Sequence, residues 1–279
     1  MAPCMAATAQ YFKKKRGAAM GIAVAGSSLG GVIFPIALNK MLNNQNLTFG
    51  WTVRICGFIM LTLLLPATLV IRARLPPRSD NLFLLSAFKE LPYVILIIAL
   101  FFIIIGVFIP IFYLPLYAIQ HGMDTQLSLY LTAILNASSF VGRVIPGVTA
   151  DKVGRLNMLI VAAFSSGILC LCWQKTTSNA SIIVFAALYG FCSGAVVSLM
   201  PVCLASIPKN PQNIGTYMGM GMFIVSFASL IGPPINGALV THYKEYTQTS
   251  IFSGVMLLAG GFFILLLKHI NSKGIFAKI

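Results

Sequence analysis

The sequence predicts an all-α membrane protein with about eight transmembrane helices, and three observations predict it. Hydrophobic residues make up 58% of the chain and charged residues only 9%, against about a quarter charged in a soluble domain. Apolar runs long enough to cross a bilayer, which takes about 20 residues, recur along the whole chain. Basic residues fall in the gaps between those runs with an alternating bias.

The 279 residues hold nineteen Lys and Arg against five acids, Asp80, Glu90, Asp124, Asp151 and Glu245, for a net charge of +14. Such an excess points to nucleic acid when it forms a patch on a soluble domain. Here the charges occupy short gaps between apolar runs, so the expected partner is the lipid bilayer and no nucleic acid. Cys56, Cys170, Cys172, Cys192 and Cys203 lie inside apolar runs, where a thiol acts as a small hydrophobe. With Cys4 they show neither disulfide-framework nor zinc spacing, and no metal or cofactor is expected.

Spans are expected at 17–39, 51–71, 92–118, 126–148, 157–174, 181–206, 213–240 and 250–268, the longer ones accommodated by tilt. With Lys13 to Arg16 placed in the cytoplasm, fifteen of the nineteen basic residues fall on that side. Only Lys40, Lys175 and Lys244 fall opposite, and Arg54 lies within a span. This positive-inside bias predicts that both termini are cytoplasmic. The polar stretch 72–91, with Pro76 and Pro77, reads as a linker between residues 1–71 and a six-helix group at 92–279.

Small residues four apart recur at Gly17/Gly21, Gly26/Gly30, Gly190/Gly194 and Gly215/Gly219, the spacing that lets helix backbones approach closely in lipid. Pro35, Pro110, Pro115, Pro146, Pro201, Pro233 and Pro234 lie in or at the ends of spans. Each frees a carbonyl that a neighbour or a cavity must satisfy.

No enzyme is expected. There is no Gly-x-Ser-x-Gly elbow, no His-Glu-x-x-His pair and no phosphate-cradling glycine loop, and His121, His242 and His269 all sit at loops or span ends.

The most specific stretch is GRVIPGVTADKVGRLN, residues 142–157, containing Gly147-xxx-Asp151-Lys152-x-Gly154-Arg155. It joins two spans by a tight turn, and its carboxylate can pair with a basic residue or cap a helix N-terminus. This pattern resembles the cytoplasmic loop signature of the major facilitator superfamily. Tyr11 to Ala23, continuing AGSSLGGVIFPI, resembles loop 4–5 and the fifth helix of monocarboxylate-type facilitators, in particular the fungal monocarboxylate and riboflavin permease branch; Gly50-Trp51-Thr52-Val53-Arg54 resembles the start of their sixth helix. The resemblance implies a major facilitator fold of two six-helix bundles with alternating access to a site between them, about eight helices of an expected twelve being present. On it, MAPCMAATAQ looks like the tail of the fourth helix, so the chain is expected to be N-terminally truncated.

The resemblance also implies site residues. Arg143 falls in the eighth family helix, with Ser139 and Asn136 on the same face; many animal monocarboxylate carriers have an Asp where Ser139 stands. Arg143 either binds an anionic solute or snorkels to the interface. Tyr113 and Tyr117, four apart, either line the cavity or anchor at the interface, and Arg54 is either a solute contact or a structural residue. Gly147, Asp151, Lys152, Gly154 and Arg155 are expected to form the gating loop.

All five acids map to loops or span ends, so a co-transported proton would need a carboxylate elsewhere. The expected function is secondary-active or facilitative transport of a small organic solute, a monocarboxylate or related metabolite, across the plasma or vacuolar membrane. The alternative is a non-transporting truncated protein or a regulatory partner of an intact transporter.

Overall fold

The computed structural model describes residues 2–43, 47–72, 74–75 and 83–271. Among them are eight helical segments long and apolar enough to cross a membrane, each matching an expected span to within a few residues. Arg78 and Asp80 of the expected linker lie outside the described residues.

The chain begins with a short helix α1 (Ala2–Tyr11), then α2 (Arg16–Leu42) and α3 (Phe49–Val70). A 3-10 turn, Leu85–Lys89, leads into α4 (Leu91–Val107) and α5 (Ile109–Gln120). Then follow α6 (Thr125–Val153), α7 (Arg155–Cys172), α8 (Asn179–Ser206), α9 (Ile214–Tyr243) and α10 (Thr247–Asn271). Successive spans run antiparallel, so the starts of α2, α4, α7 and α9 share one end of the bundle, here the basic end.

The span expected at 92–118 is broken between α4 and α5 at Phe108. Pro110, in the first turn of α5, has no N–H to continue the ladder. The Tyr189 hydroxyl on α8 donates to Val107 O at the break, at 2.8 Å.

Helix ends are fixed locally. Asp124 accepts from Gln126 N and Leu127 N at 2.9 and 3.3 Å to start α6. Ser178 and Ser181 form a reciprocal capping box on α8. Gly154, at φ 110°, makes the turn from α6 to α7 that a residue with a Cβ would strain.

Helices α4 to α10 pack together, and α6 makes two extensive interfaces, one with α8 and one with α2. Glycines set how closely they cross. A Cβ at Gly142 would collide with Phe191 O, and one at Gly190 with Leu135 O, so α6 and α8 meet backbone to backbone. Gly106 stands likewise against Ser253 O on α10. Of the four expected pairs, Gly17/Gly21 and Gly190/Gly194 lie at crossings. Gly26 and Gly219 have no heavy atom of another element within 4 Å of an added Cβ.

Helix α3 is different. Only Thr52 and Cys56 are buried and Ile55 is half-buried, while its Leu and Phe side chains and Ile59 are exposed. Its solvent is lipid or other protein, since so apolar a helix has no polar face to turn to water.

Substituting Gly142 by Ala forces α6 from α8, an overpacking cost of about 1–3 kcal/mol. Gly219→Ala meets open space and should be neutral or stabilising by up to about 1 kcal/mol. Thermal unfolding of both variants in lipid nanodiscs checks the contrast.

Candidate functional site

Helices α2 and α6 run antiparallel and meet along a polar seam. Reading α6 towards the basic end, Asn136 presses on Gly31, where a Cβ would lie 2.5 Å from Asn136 Oδ1. One turn further, Ser28 Oγ donates to Ser139 Oγ at 3.4 Å, both side chains buried. The next turn brings Arg143, whose Nη1 donates to Val24 O at 2.9 Å and also to Ser27 Oγ. Then Gly147 packs against Gly17 and Gly21. Three of the six residues expected to meet a solute, Asn136, Ser139 and Arg143, are thus together on one face, and that face is turned to α2. The Arg143 Nε is buried and has no hydrogen-bond partner among the described residues.

The seam ends in a clamp. Asp151, on the last turn of α6, accepts from Gly17 N at 2.9 Å and Ala18 N at 3.0 Å. It therefore caps α2, a helix distant in sequence, and places a carboxylate at the positive end of that helix dipole. Arg155 Nη2 lies 3.7 Å from the same carboxylate and donates to Lys13 O at 3.3 Å. Both roles open to this carboxylate in the sequence are taken at once. Gly147 is needed for the close crossing and Gly154 for the turn, while Lys152 stays exposed.

Arg16 had no place in the expected site. Its Nη1 donates to Ala205 O on α8 at 2.7 Å and its Nε to Ala9 O on α1 at 3.1 Å. One guanidinium fork thus ties three helices, which the neighbouring lysines cannot do. A position at the very start of a span after a basic run was the only signal. At the same end Tyr217 Oη donates to Glu90 Oε1 and Tyr93 Oη to Tyr217 O, both at 2.8 Å, fixing α9 to α4.

The Major Facilitator Superfamily pattern matches residues 1–209 and again residues 138–275. The chain belongs to the Major Facilitator Superfamily. The second match overlaps the first, as expected of a superfamily with internal repeats. The aspyridones efflux protein of Emericella nidulans is 53% identical over 98% of this chain and 56% of its own length. The agnestins efflux protein of Paecilomyces divaricatus is 44% identical over 99% of this chain and 63% of its own. The chain therefore spans less than two thirds of these relatives' length. The E. coli fucose:proton symporter FucP superposes with a TM-score of 0.75 at 14% identity, covering 98% of this chain and 73% of that one, which shows the fold alone.

The remaining expected residues of this superfamily member lie apart from the seam. Tyr113 Oη donates to Pro233 O at 3.4 Å, satisfying a carbonyl in the double-proline stretch of α9. Tyr117 is buried at the end opposite the clamp, its hydroxyl donating to Thr176 O at 2.9 Å and its ring packed on Trp173 and Tyr246. Arg54 is exposed on α3, 5.2 Å from the Trp51 ring centre in a cation–π contact. A separate apolar cavity of about 680 Å³ lies between Phe83, Leu85 and Phe88 and the α9 face of Gly219, Met220 and Phe223.

Asp151→Ala removes the cap from α2 and the partner of Arg155, a loss of about 1–2 kcal/mol. Asp151→Asn, which keeps an acceptor, should lose less. Unfolding midpoints in nanodiscs rank the two variants against the parent chain.

Proposed function

We propose that this chain forms part of an exporter of small organic metabolites that works by alternating access, with the α2–α6 seam as a moving contact and the Asp151 clamp as its latch. The observation that carries this reading is the clamp: a carboxylate on one helix holding the first turn of a helix more than a hundred residues away in sequence. Such a contact persists only while the basic end is closed, so breaking it is a discrete step that a rocking motion can use. The basic end is read as cytoplasmic from the charge bias.

The names of the two relatives above support export, and the apolar cavity supports an organic cargo. Its 680 Å³ falls in the range of about 300–1,000 Å³ that holds molecules of drug size. Efflux of a largely apolar metabolite also needs no buried cation in the pathway, consistent with Arg143 being engaged by α2.

The monocarboxylate reading is kept as a second one because Arg143 Nε is buried without a partner, a free donor that an anion could take. Proton coupling would need a titrating group outside the described spans: Glu90, Asp124 and Glu245 lie at helix starts or between spans, and Asp151 is held in the clamp.

The test is release of aspyridones or agnestins from cells or vesicles loaded with them. Cells carrying this chain should release at least one faster than cells carrying a chain with Asp151→Lys, which repels the α2 N-terminus. Equal release with and without the chain counts against transport. Uptake of labelled lactate that disappears in Arg143→Gln would instead favour the monocarboxylate reading.

A further inference from the structure

Three segments distant in sequence converge at the basic end. The Tyr11 hydroxyl donates to Arg72 O at 3.2 Å, and the Arg74 guanidinium donates to Gln10 O. Arg155 Nη2 ties the same loop to the start of α7 through Lys13 O. These ties gather Lys13, Lys14, Lys15, Arg72 and Lys152 on one exposed surface. Among the described residues none of the five side chains has a hydrogen-bond or ion-pair partner. Among the described residues, the acid tied to this loop, Asp151, is already taken by Gly17 N, Ala18 N and Arg155. Arg16 and Arg155 are close enough to interact as like charges. A fold that concentrates cations in this way favours an anion on that surface.

What lies beside the patch specifies the anion. Arg72 follows directly on α3, where Leu65, Leu69, Val70 and Ile71 are exposed. The cationic surface is therefore continuous with an exposed apolar flank at the level where α2 begins and α3 ends. A ligand with a phosphate head and acyl chains matches both parts; a free phosphate matches only the first.

We infer that this surface is a binding site for an anionic phospholipid, the headgroup phosphate on Lys13, Lys14, Lys15 and Arg72 and the acyl chains along α3. Lys152 is exposed and follows Asp151 of the clamp directly, so a lipid that also reaches it bridges the lysine loop and the end of α6 and holds the basic end closed. The site rests on the orientation proposed above only for the choice of leaflet. Nanodiscs expose both leaflets alike, so a failure of binding is distinguishable from an inverted topology.

The experiment uses the full chain in nanodiscs of phosphatidylcholine alone or mixed with phosphatidylserine. Thermal unfolding of the parent chain should rise with phosphatidylserine, and the rise should vanish at high salt, which screens exposed charges. In a Lys13→Gln, Lys14→Gln, Lys15→Gln, Arg72→Gln variant most of the rise should be lost, with affinity for phosphatidylserine reduced at least about ten-fold. A Lys175→Gln, Lys244→Gln variant, altered at the opposite end, should keep it. Should the fourfold variant not fold, Lys14→Gln and Arg72→Gln singly each lower the rise by a part. The proposal is overturned if the parent chain shows no rise or if the fourfold or single variants keep the whole of it. It is equally overturned if inorganic phosphate added to phosphatidylcholine discs gives the same effect, which would make this a free-phosphate site.

Discussion

Close backbone contact on two sides of α6 is the constraint on which the rest of this structure depends. Lipid gives helices no hydrophobic reason to associate, so packing and hydrogen bonds must do it. Gly142 lets α6 touch the backbone of α8, and five residues on Gly147 lets it touch that of α2. Because α6 is fixed against α8 over most of its length, its other face has a defined height and rotation. That registration is what brings Asp151 level with the first turn of α2 and Arg143 level with Val24 O.

The two contacts differ in kind. Between α6 and α8 the interface is mainly apolar and glycine-lined, with Gly190 and Gly194 seated against Leu135 O and Ser139 O. Between α2 and α6 it is a ladder of single polar contacts, each replaceable by water or by a ligand group. Packed surfaces are bistable rather than elastic. An interface held by a few hydrogen bonds over paired glycines separates at less cost than one held by interlocked side chains, which makes α2 the element suited to move.

Much of the fold was legible in the sequence because each span satisfies its own backbone hydrogen bonds and shows as an uninterrupted apolar run. Asp151 was legible too, since a carboxylate beside Gly154 and Arg155 in a short loop has few roles open to it. The break at Phe108 was not, because a proline in a span either kinks it or ends it, and the donor that decides, Tyr189, lies some eighty residues on. Nor was the partner of Arg143. The face it shares with Ser139 and Asn136 follows from helical periodicity, but what that face meets depends on the crossing of α2, which periodicity does not contain. Gly26/Gly30 and Gly215/Gly219 carry the same spacing as the pairs that do cross, and spacing alone cannot distinguish them.

Arg143 links the seam to any anion that enters it. Its Nη1 holds Val24 O and Ser27 Oγ, and among the described residues neither Nε nor Nη2 takes a partner. A bidentate grip on a carboxylate uses two adjacent donors, and Nε with Nη2 is such a pair, so an anion could take that edge while Nη1 stays on α2. An anion and the α2 carbonyl would then share one guanidinium, and by reciprocity whatever effect closure of the seam has on the anion's hold, the anion has on closure. The Asp151 clamp closes it from one end, through a cap that makes no contact with Arg143. An apolar cargo would feel no such linkage, and on the proposed reading its release would depend on the clamp and on the packing of Gly17, Gly21 and Gly147. On the proposed reading, the chemistry of the cargo therefore decides whether the Asp151 clamp and the contact at Arg143 act as one device or two.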